Sequence, residues 1–314
     1  MSGSLVVTIV PNWNLRMDLV ECLDSLRRAS YPRHHVIVVD NASTDDSVAF
    51  VAANYPEVEL ITLSANRGYA AALNVGVVRA LELGTEYVFA LNNDTVVPPE
   101  SIASLIQVLE ADAAIGIVAP KSLNCRHPER IFSLGDRRYR WLPLPLGFGY
   151  NWRDRPAFTQ LMEFDYVTGC AMLIRAQVFR QIGLFDDSLF LYYEDSDFCR
   201  RTRDHGCRIV CAGHAIIYHK ISVSTNKNRA ASLRIRARNR IRFYRRYQHG
   251  PAPVLTSIAI VLMAIWRVIS YGVTWRWGLI APYVGGLVEG WREPITHPHY
   301  SWSVAEDDRH GVSD

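Results

Sequence analysis

The chain has 314 residues, 49% of them hydrophobic and 21% charged, with a net charge of +3. That composition excludes a disordered or low-complexity protein and fits one large domain with an appendage. Six scattered cysteines, the nearest group being Cys199, Cys207 and Cys211, lack the Cys-x-x-Cys spacing of a zinc site, so reduced thiols in a cytosolic chain without a signal peptide are expected.

In chain order, "LVVTIV" (5–10) predicts a buried strand, and Leu15, Leu19, Cys22, Leu23 and Leu26 follow at helical spacing. "VIVVD" (36–40) is a second strand. "STDD" (43–46) has the form of a capping box opening the helix "SVAFVAANY". "VELITL" (58–63) is a third strand, and a helix over 69–83 stops at Gly84. "EYVFAL" (86–91) is a fourth strand, 98–111 a helix entered through prolines, and "IGIVAP" (115–120) a fifth strand. Strands alternating with helices predict a mostly parallel sheet covered on both faces, with ligands at the strands' carboxyl ends. Those ends read "PNWN" (11–14), "DNASTDD" (40–46), "SANRGY" (64–69) and "NNDT" (92–95). All are polar. Asn14 and Ser43 fit helix caps and turns, whereas Asn92, Asn93 and Asp94 either cap a helix or hold something charged.

Past residue 120 the pattern loosens. "RWLPLPLGFGYNWRDRP" (140–156) predicts a long functional loop. "LYYEDSDFCRR" (191–201) gathers Glu194, Asp195 and Asp197. On a helix Glu194 and Asp197 share a face. Close carboxylates repel, so one is a candidate general base with a raised pKa. The plainer alternative is acids in a solvated first turn, favoured by the helix dipole. His219, ending the strand-like "IIYH", is either a metal ligand or an ordinary histidine.

"TIVPNWN", "VIVVDNASTDDS", "NRGYAAALN", "FALNND", "VTGCAMLIR", "GLFDDSLFLYYEDSDFCRR" and "YHK" stand in the order and at about the spacings of glycosyltransferase family 2. The chain resembles its bacterial rhamnosyltransferase-type members over residues 5 to about 246. The resemblance implies a GT-A fold: an α/β, mostly parallel central sheet flanked by helices, with a C-terminal helical appendage. Residues 1–225 would form the catalytic domain, its donor half about 1–120 and its acceptor half about 121–225. Residues 226–294 would form a basic and apolar helical segment, and 295–314 a flexible tail.

The resemblance further implies donor contacts from Pro11, Asn12, Asp40, Asn66, Arg67, Gly68, Asn93 and Asp94, with Asp40 reading the pyrimidine base. Asn92-Asn93-Asp94 stands where the family has Asp-x-Asp, so Asp94 would meet a Mg²⁺ or Mn²⁺ ion on the diphosphate and His219 would close that site. Asn92 departs from the two-acid pattern and removes one charge. Asp195, beside Glu194, would be the base of an inverting displacement. Asp165, Thr168, Gly169 and Arg201 would shape the acceptor side, with an Asp197–Arg201 ion pair as support. The expected activity is transfer from dTDP-rhamnose or a UDP-sugar to a glycan or lipid-linked hydroxyl in cell-surface polysaccharide synthesis. A homodimer is compatible with the resemblance.

Other classes fit less well. A nucleotidyltransferase wants a Gly-rich basic loop after the first strand, and a dehydrogenase wants Gly-x-Gly-x-x-Gly; "VPNWN" offers neither. A non-catalytic sugar-nucleotide binder would not need acids at 94, 194 and 195. The arginines from 229 to 246, with Lys227 and no acid among them, predict an anionic partner. RNA is one reading. The apolar "APVLTSIAIVLMAIW" (252–266) beside them favours lipid over nucleic acid. No charge-free run reaches the roughly 20 residues of a spanning helix. Residues 227–291 are therefore expected to lie on a membrane surface, the inner face of the plasma membrane, as a peripheral anchor, with spanning or re-entrant helices, or a buried helical pack or oligomer contact, as the alternatives. His297, His299 and His310 in the tail carry no expected metal role.

Overall fold

The computed structural model describes residues 3–139, 142–221, 229–247 and 252–294. Lys227 and the 295–314 tail with its three histidines lie outside these. The strands are β1 (Val6–Asn12), β2 (His34–Asp40), β3 (Glu59–Thr62), β4 (Tyr87–Leu91), β5 (Thr95–Val96), β6 (Ile115–Asn124), β7 (Ile131–Ser133), β8 (Gly135–Tyr139), β9 (Leu142–Phe148), β10 (Leu161–Glu163), β11 (Ala171–Arg175) and β12 (Arg208–His219). The helices are α1 (Arg16–Arg27), α2 (Ser47–Asn54), α3 (Tyr69–Glu82), α4 (Ser101–Ala111), α5 (Ala176–Ile182), α6 (Glu194–Asp204), α7 (Arg229–Tyr247), α8 (Ala252–Val273) and α9 (Ile280–Arg292).

Ten strands form one sheet in the order β10-β12-β6-β11-β4-β1-β2-β3, with β5 added to β12 and β7 to β6. β1, β2, β3 and β4 are parallel, as their uninterrupted apolar runs require when both faces are covered. β11 breaks the pattern: it runs antiparallel between β4 and β6. This strand reverses the local direction and brings the Thr168–Cys170 turn to the carboxyl end of β4, where Asn92 N donates to Cys170 O at 2.9 Å.

Side chains alternate across the sheet into two cores. Val7 and Ile9 of β1 point to a layer made by α3, α5, α6 and α7. Val6 and Val10 point to α1, α2 and α4. The first core contains a tight aromatic group, with Phe198 of α6 4.3 Å from Phe185 and 5.0 Å from Phe179 between ring centres. Phe198 is fully buried, so the amino end of α6 is fixed relative to the sheet.

Two local expectations change. Helix α2 starts at Ser47 as expected, but "STDD" is not a capping box: Ser43 donates to Asp40, and Asp45 accepts from Ser47 N at 3.1 Å. The long loop predicted over 140–156 contains β9, paired antiparallel with β8.

The C-terminal helices are not a separate body hanging from the sheet. Ile241, Phe243 and Tyr244 of α7 belong to the first core. Helix α9 crosses α7 at close range: a Cβ on Gly286 would lie 2.1 Å from Arg234 O. Helix α8 instead exposes Ile258, Leu262, Ile265, Trp266, Ile269 and Val273, each more than half accessible, and Trp275 follows at 85%. Among the described residues no helix is long and apolar enough to cross a membrane.

Candidate active site

The carboxyl ends of β1, β2 and β4 meet in one hydrogen-bonded chain. Asn93 Nδ2 donates to Asn12 Oδ1 at 2.8 Å, and Asn12 Nδ2 to Asp40 Oδ1 at 3.0 Å. Asp40 also accepts from Ser43 N at 2.8 Å and Ser43 Oγ at 2.6 Å. Asn12, Asp40 and Asn93 are buried, and the backbone registers Asn12 directly opposite Asp40. Pro11 lies buried one step earlier, opposite Val39.

A second group shapes the turn before α3. Asn41 Nδ2 donates to Asn66 Oδ1 and to Gly68 O, both at 3.0 Å, while Asn41 Oδ1 accepts from Arg67 N at 2.9 Å. Asn66 Oδ1 also accepts from Gly68 N. The turn needs glycine at 68 because φ is +90° and a Cβ would lie 2.5 Å from Phe190 O. The guanidinium of Arg67 opposes the burial and the Asp186 charge that together push up the Asp187 carboxyl.

Asp94 faces His219. Strand β5 pairs antiparallel with the end of β12, His219 opposite Thr95, and Lys220 N donates to Asp94 O at 2.9 Å. The His219 Nε2 to Asp94 Oδ1 distance is 3.0 Å. Their directions do not make a hydrogen bond, so both imidazole nitrogens are buried without a partner among the described residues. Phe132 packs on the imidazole, ring centres 4.6 Å apart. An orphaned buried imidazole beside a buried carboxylate fits a shared cation: two ligands at right angles, with arms of about 2.1 Å, sit about 3 Å apart. Among the described residues no three His, Cys, Asp or Glu side chains gather to hold an ion. The remaining ligands of such an ion would have to come from diphosphate and water.

Across the cleft, Glu194 and Asp195 open α6. Asp195 Oδ2 accepts from Gly169 N at 2.9 Å, and its Oδ1 from Ser196 N at 2.6 Å and Ser196 Oγ at 3.2 Å. Glu194 is 6% exposed and its Oε2 has no partner among the described residues. Burial, reinforced by the Asp195 charge, pushes the Glu194 carboxyl up to about 8. Burial also raises Asp195, but three donors oppose that. The shared proton therefore belongs on Glu194 and the charge on Asp195. Two further groups complete this side. Tyr69 Oη donates to Gly169 O at 3.1 Å, and burial first, then the acidic side chains around it, raises its hydroxyl. Asp136 is pushed up to about 6 by burial and then by the Asp195 charge.

The structure thus brings Asn12, Asp40, Asn93, Asp94 and His219 to one end of the sheet and sets Asp195, Glu194 and Gly169 beside them. Thr168 Oγ1 accepts from Cys170 N in the same turn at 3.4 Å. Asp165 pairs instead with Arg203 on the outside of α6. Arg201 turns inward: it donates to Asp197 Oδ2, Ile182 O and Leu184 O, each at 2.8 Å. Its five fixed donors suit this bracing role, and the expected Asp197–Arg201 ion pair is present. Sequence reasoning treated Ser43 and Asn14 as caps and passed over Asn41, Tyr69 and Asp136. Asn41 and Tyr69, both in polar strand-end segments, carried a visible signal, and Asp136 carried none.

A family model described as "Glycosyltransferase like family 2" matches residues 4–245. The chain belongs to that family. It is 26% identical over 231 residues to the N-acetylglucosaminyl-diphospho-decaprenol L-rhamnosyltransferase of Mycobacterium tuberculosis, covering 67% of this chain and 74% of the relative. It is 29% identical over 192 residues to the low-salt glycan biosynthesis hexosyltransferase Agl10 of Haloferax volcanii, covering 57% of this chain and 58% of that protein. The dTDP-rhamnosyl transferase RfbF of Shigella flexneri is 24% identical, with 74% and 76% covered. Among solved structures, the mannosyltransferase PcManGT of Pyrobaculum calidifontis, in complex with GDP-Man and Mn²⁺, superposes with a TM-score of 0.57 over 93% of this chain and 88% of its own, at 20% identity. That likeness establishes the GT-A fold for this family 2 glycosyltransferase.

Proposed function

We propose that this glycosyltransferase moves a sugar, with inversion, from a nucleoside-diphosphate sugar to a hydroxyl of a glycan or lipid-linked acceptor in cell-surface polysaccharide synthesis. dTDP-rhamnose is the first donor to test, from the names of the bacterial relatives, and UDP-hexose the second. The observation that carries this reading is that Asp40, Asp94 with His219, and Asp195 gather at one end of the sheet: Asn12 links Asp40 to Asn93, and Asp94 and Asp195 both lie near Tyr69 and Cys170.

Asp40, its carboxylate oriented by Asn12 and Ser43, accepts from the ring N–H of a pyrimidine. Asn93 and the 66–68 turn flank the rest of the donor. Asp94 and His219 would hold a divalent ion, Mg²⁺ or Mn²⁺, with the imidazole nitrogen favouring Mn²⁺. When bound, that ion supplies positive charge against the leaving diphosphate. Asp195 takes the proton from the acceptor hydroxyl, whose oxygen then bonds to the anomeric carbon as the carbon–oxygen bond to the nucleoside diphosphate breaks. Neutral Glu194 keeps a second negative charge away from the attacking oxygen.

The exposed apolar face of α8, with Trp275, Trp277 and Trp291 near it, supports a peripheral seat on the inner face of the plasma membrane, beside a lipid-linked acceptor. The catalytic half of the proposal is tested by donor turnover. Asp195→Asn should lower it by roughly 10²- to 10⁴-fold while thermal-shift binding of dTDP or UDP persists. Unchanged turnover would remove Asp195 from the base role.

A further inference from the structure

The segment just ahead of the acidic pair is held in a conformation that its own residues resist. Phe190, Tyr192 and Tyr193 have φ of 65°, 69° and 75°. Bulky L-residues avoid that region. Phe190, with ψ −57°, is the centre of a three-residue turn closed by Leu191 N donating to Leu189 O at 2.7 Å. That geometry is the rare, strained form of such a turn. Strain of this kind persists only where the surroundings over-determine it.

The determinant lies on α7, nearly 50 residues further along the chain. Asn239 is fully buried, and its Nδ2 meets three loop carbonyls: Leu189 O at 2.7 Å, Leu191 O at 2.9 Å and Tyr192 O at 2.9 Å. Arg238 Nε donates to Asn239 Oδ1 at 3.0 Å, which fixes the amide with its NH₂ toward the loop. Neighbours on the same helix add weaker holds. Arg240 Nε donates to Tyr193 Oη at 3.0 Å, and the Arg236 guanidinium lies 4.1 Å over the Tyr192 ring. No side chain but Asn239 collects three loop carbonyls at one atom among the described residues.

We propose that Asn239 is a positioning residue for glycosyl transfer: it holds Leu189–Tyr193 in the left-handed path that delivers Asp195 to the acceptor side of the cleft. This rests on the reading of Asp195 as the base. Without the amide, Leu191 O and Tyr192 O lose this donor, Leu189 O keeps Leu191 N and Arg238 Nη2, and the loop relaxes toward negative φ. The first turn of α6 then loses the rigid entry that sets its carboxylates.

The test uses the full chain, with hydrolysis of dTDP-rhamnose and UDP-glucose as the turnover probes and calorimetric binding of dTDP and UDP. Asn239→Ala should lower kcat by about 100-fold, the scale of a 1 Å misplacement, while nucleotide affinity stays within about threefold because Asn239 does not touch the Asp40 group. The acid limb of the kcat profile should move to lower pH, since water reaching Asp195 removes part of the burial that raises it. Tyr192→Gly placed in the Asn239→Ala background should recover part of kcat, because glycine takes positive φ freely. A kcat within about threefold of the parent overturns the proposal, and so does a parallel loss of nucleotide affinity. Should Asn239→Ala not fold, Asn239→Ser, which keeps one donor, carries the same test. Full activity in it, or failure of both variants to fold, withdraws the role. Asp195→Asn run alongside separates the two readings. If it retains turnover, the base assignment falls; if it is inactive while Asn239→Ala is active, only the positioning role falls.

Discussion

Helices α7 and α8 are neighbours in the chain and reverse the usual disposition of charge. Arg242 and Arg246 of the arginine-rich α7 are 9% and 7% exposed, whereas the apolar α8 leaves Ile258, Leu262, Ile265 and Trp266 more than half accessible. The arginines of α7 are spent on the protein itself. Arg246 Nη1 reaches Asp186 and Asp197, both at 2.7 Å, and Arg242 donates to Ser188 O and Oγ. Arg234 pairs with Glu289 on α9, and Arg245 donates to Gly290 O on α9 and to Glu293 O just past its end. A cluster of like charges in a sequence signals anionic partners, but here the principal partners are the protein's own carboxylates and carbonyls. That corrects the expectation of an external anion as the main reason for the run. Its lesson is that a basic run and an apolar run side by side describe a membrane surface only after the contacts of each are known. On those contacts, α7 is packed into the domain, while α8 leaves an apolar face uncovered among the described residues.

Three measurements test that contrast. The largest effect should come from Arg246→Ala, which leaves Asp186 and Asp197 buried without their shared cation. Stability should fall by about 3–5 kcal/mol in denaturant titration. A loss below about 1 kcal/mol, the value of an exposed pair, would return α7 to the surface.

Glu194→Gln should have an intermediate effect, and its sign is set by proton linkage. The carboxyl titrates near 4.5 when unfolded and near 8 when folded. Its stabilising contribution is therefore complete below pH 4.5 and is lost as pH rises through 8. The amide, which has no proton to lose, should leave Tm near the parent's at pH 4.5 and raise it by a few degrees at pH 8, at roughly 2–4 °C per kcal/mol. A Tm difference that does not change with pH would show that the site is wetter than the packing of α7 implies.

The smallest effect on folding should come from Ile265→Ser with Trp266→Ser on α8. Stability should change by less than about 0.5 kcal/mol per substitution, as for other surface positions. Flotation with anionic vesicles should nevertheless drop sharply. A large fall in Tm, or unchanged flotation, would mean that protein and not lipid covers this face.

Much of the sheet was legible because its information is local. "LVVTIV", "VIVVD" and "EYVFAL" are apolar runs that only a strand covered on both faces can use, and Gly84 at φ 73° ends α3 where expected. The polar strand ends were legible for the same reason, since topology alone sends them to one edge. What stayed hidden depends on distant pairing. The antiparallel insertion of β11 and the β5–β12 contact that sets Asp94 against His219 have no local signature. Asp136 is an unremarkable acid until a ribbon carries it toward Asp195. Asn239 is one polar residue among arginines, and nothing near it in the chain announces three carbonyls waiting for a donor.

The contact at Gly68 has a kinetic consequence. Phe190 O accepts from Tyr69 N at 2.7 Å and lies where a side chain at 68 would be. The nucleotide-side turn and the segment leading to Asp195 therefore rest on each other without slack. A side chain placed at 68 would wedge directly between them, so Gly68→Ala should lower nucleotide affinity and turnover together in steady-state kinetics.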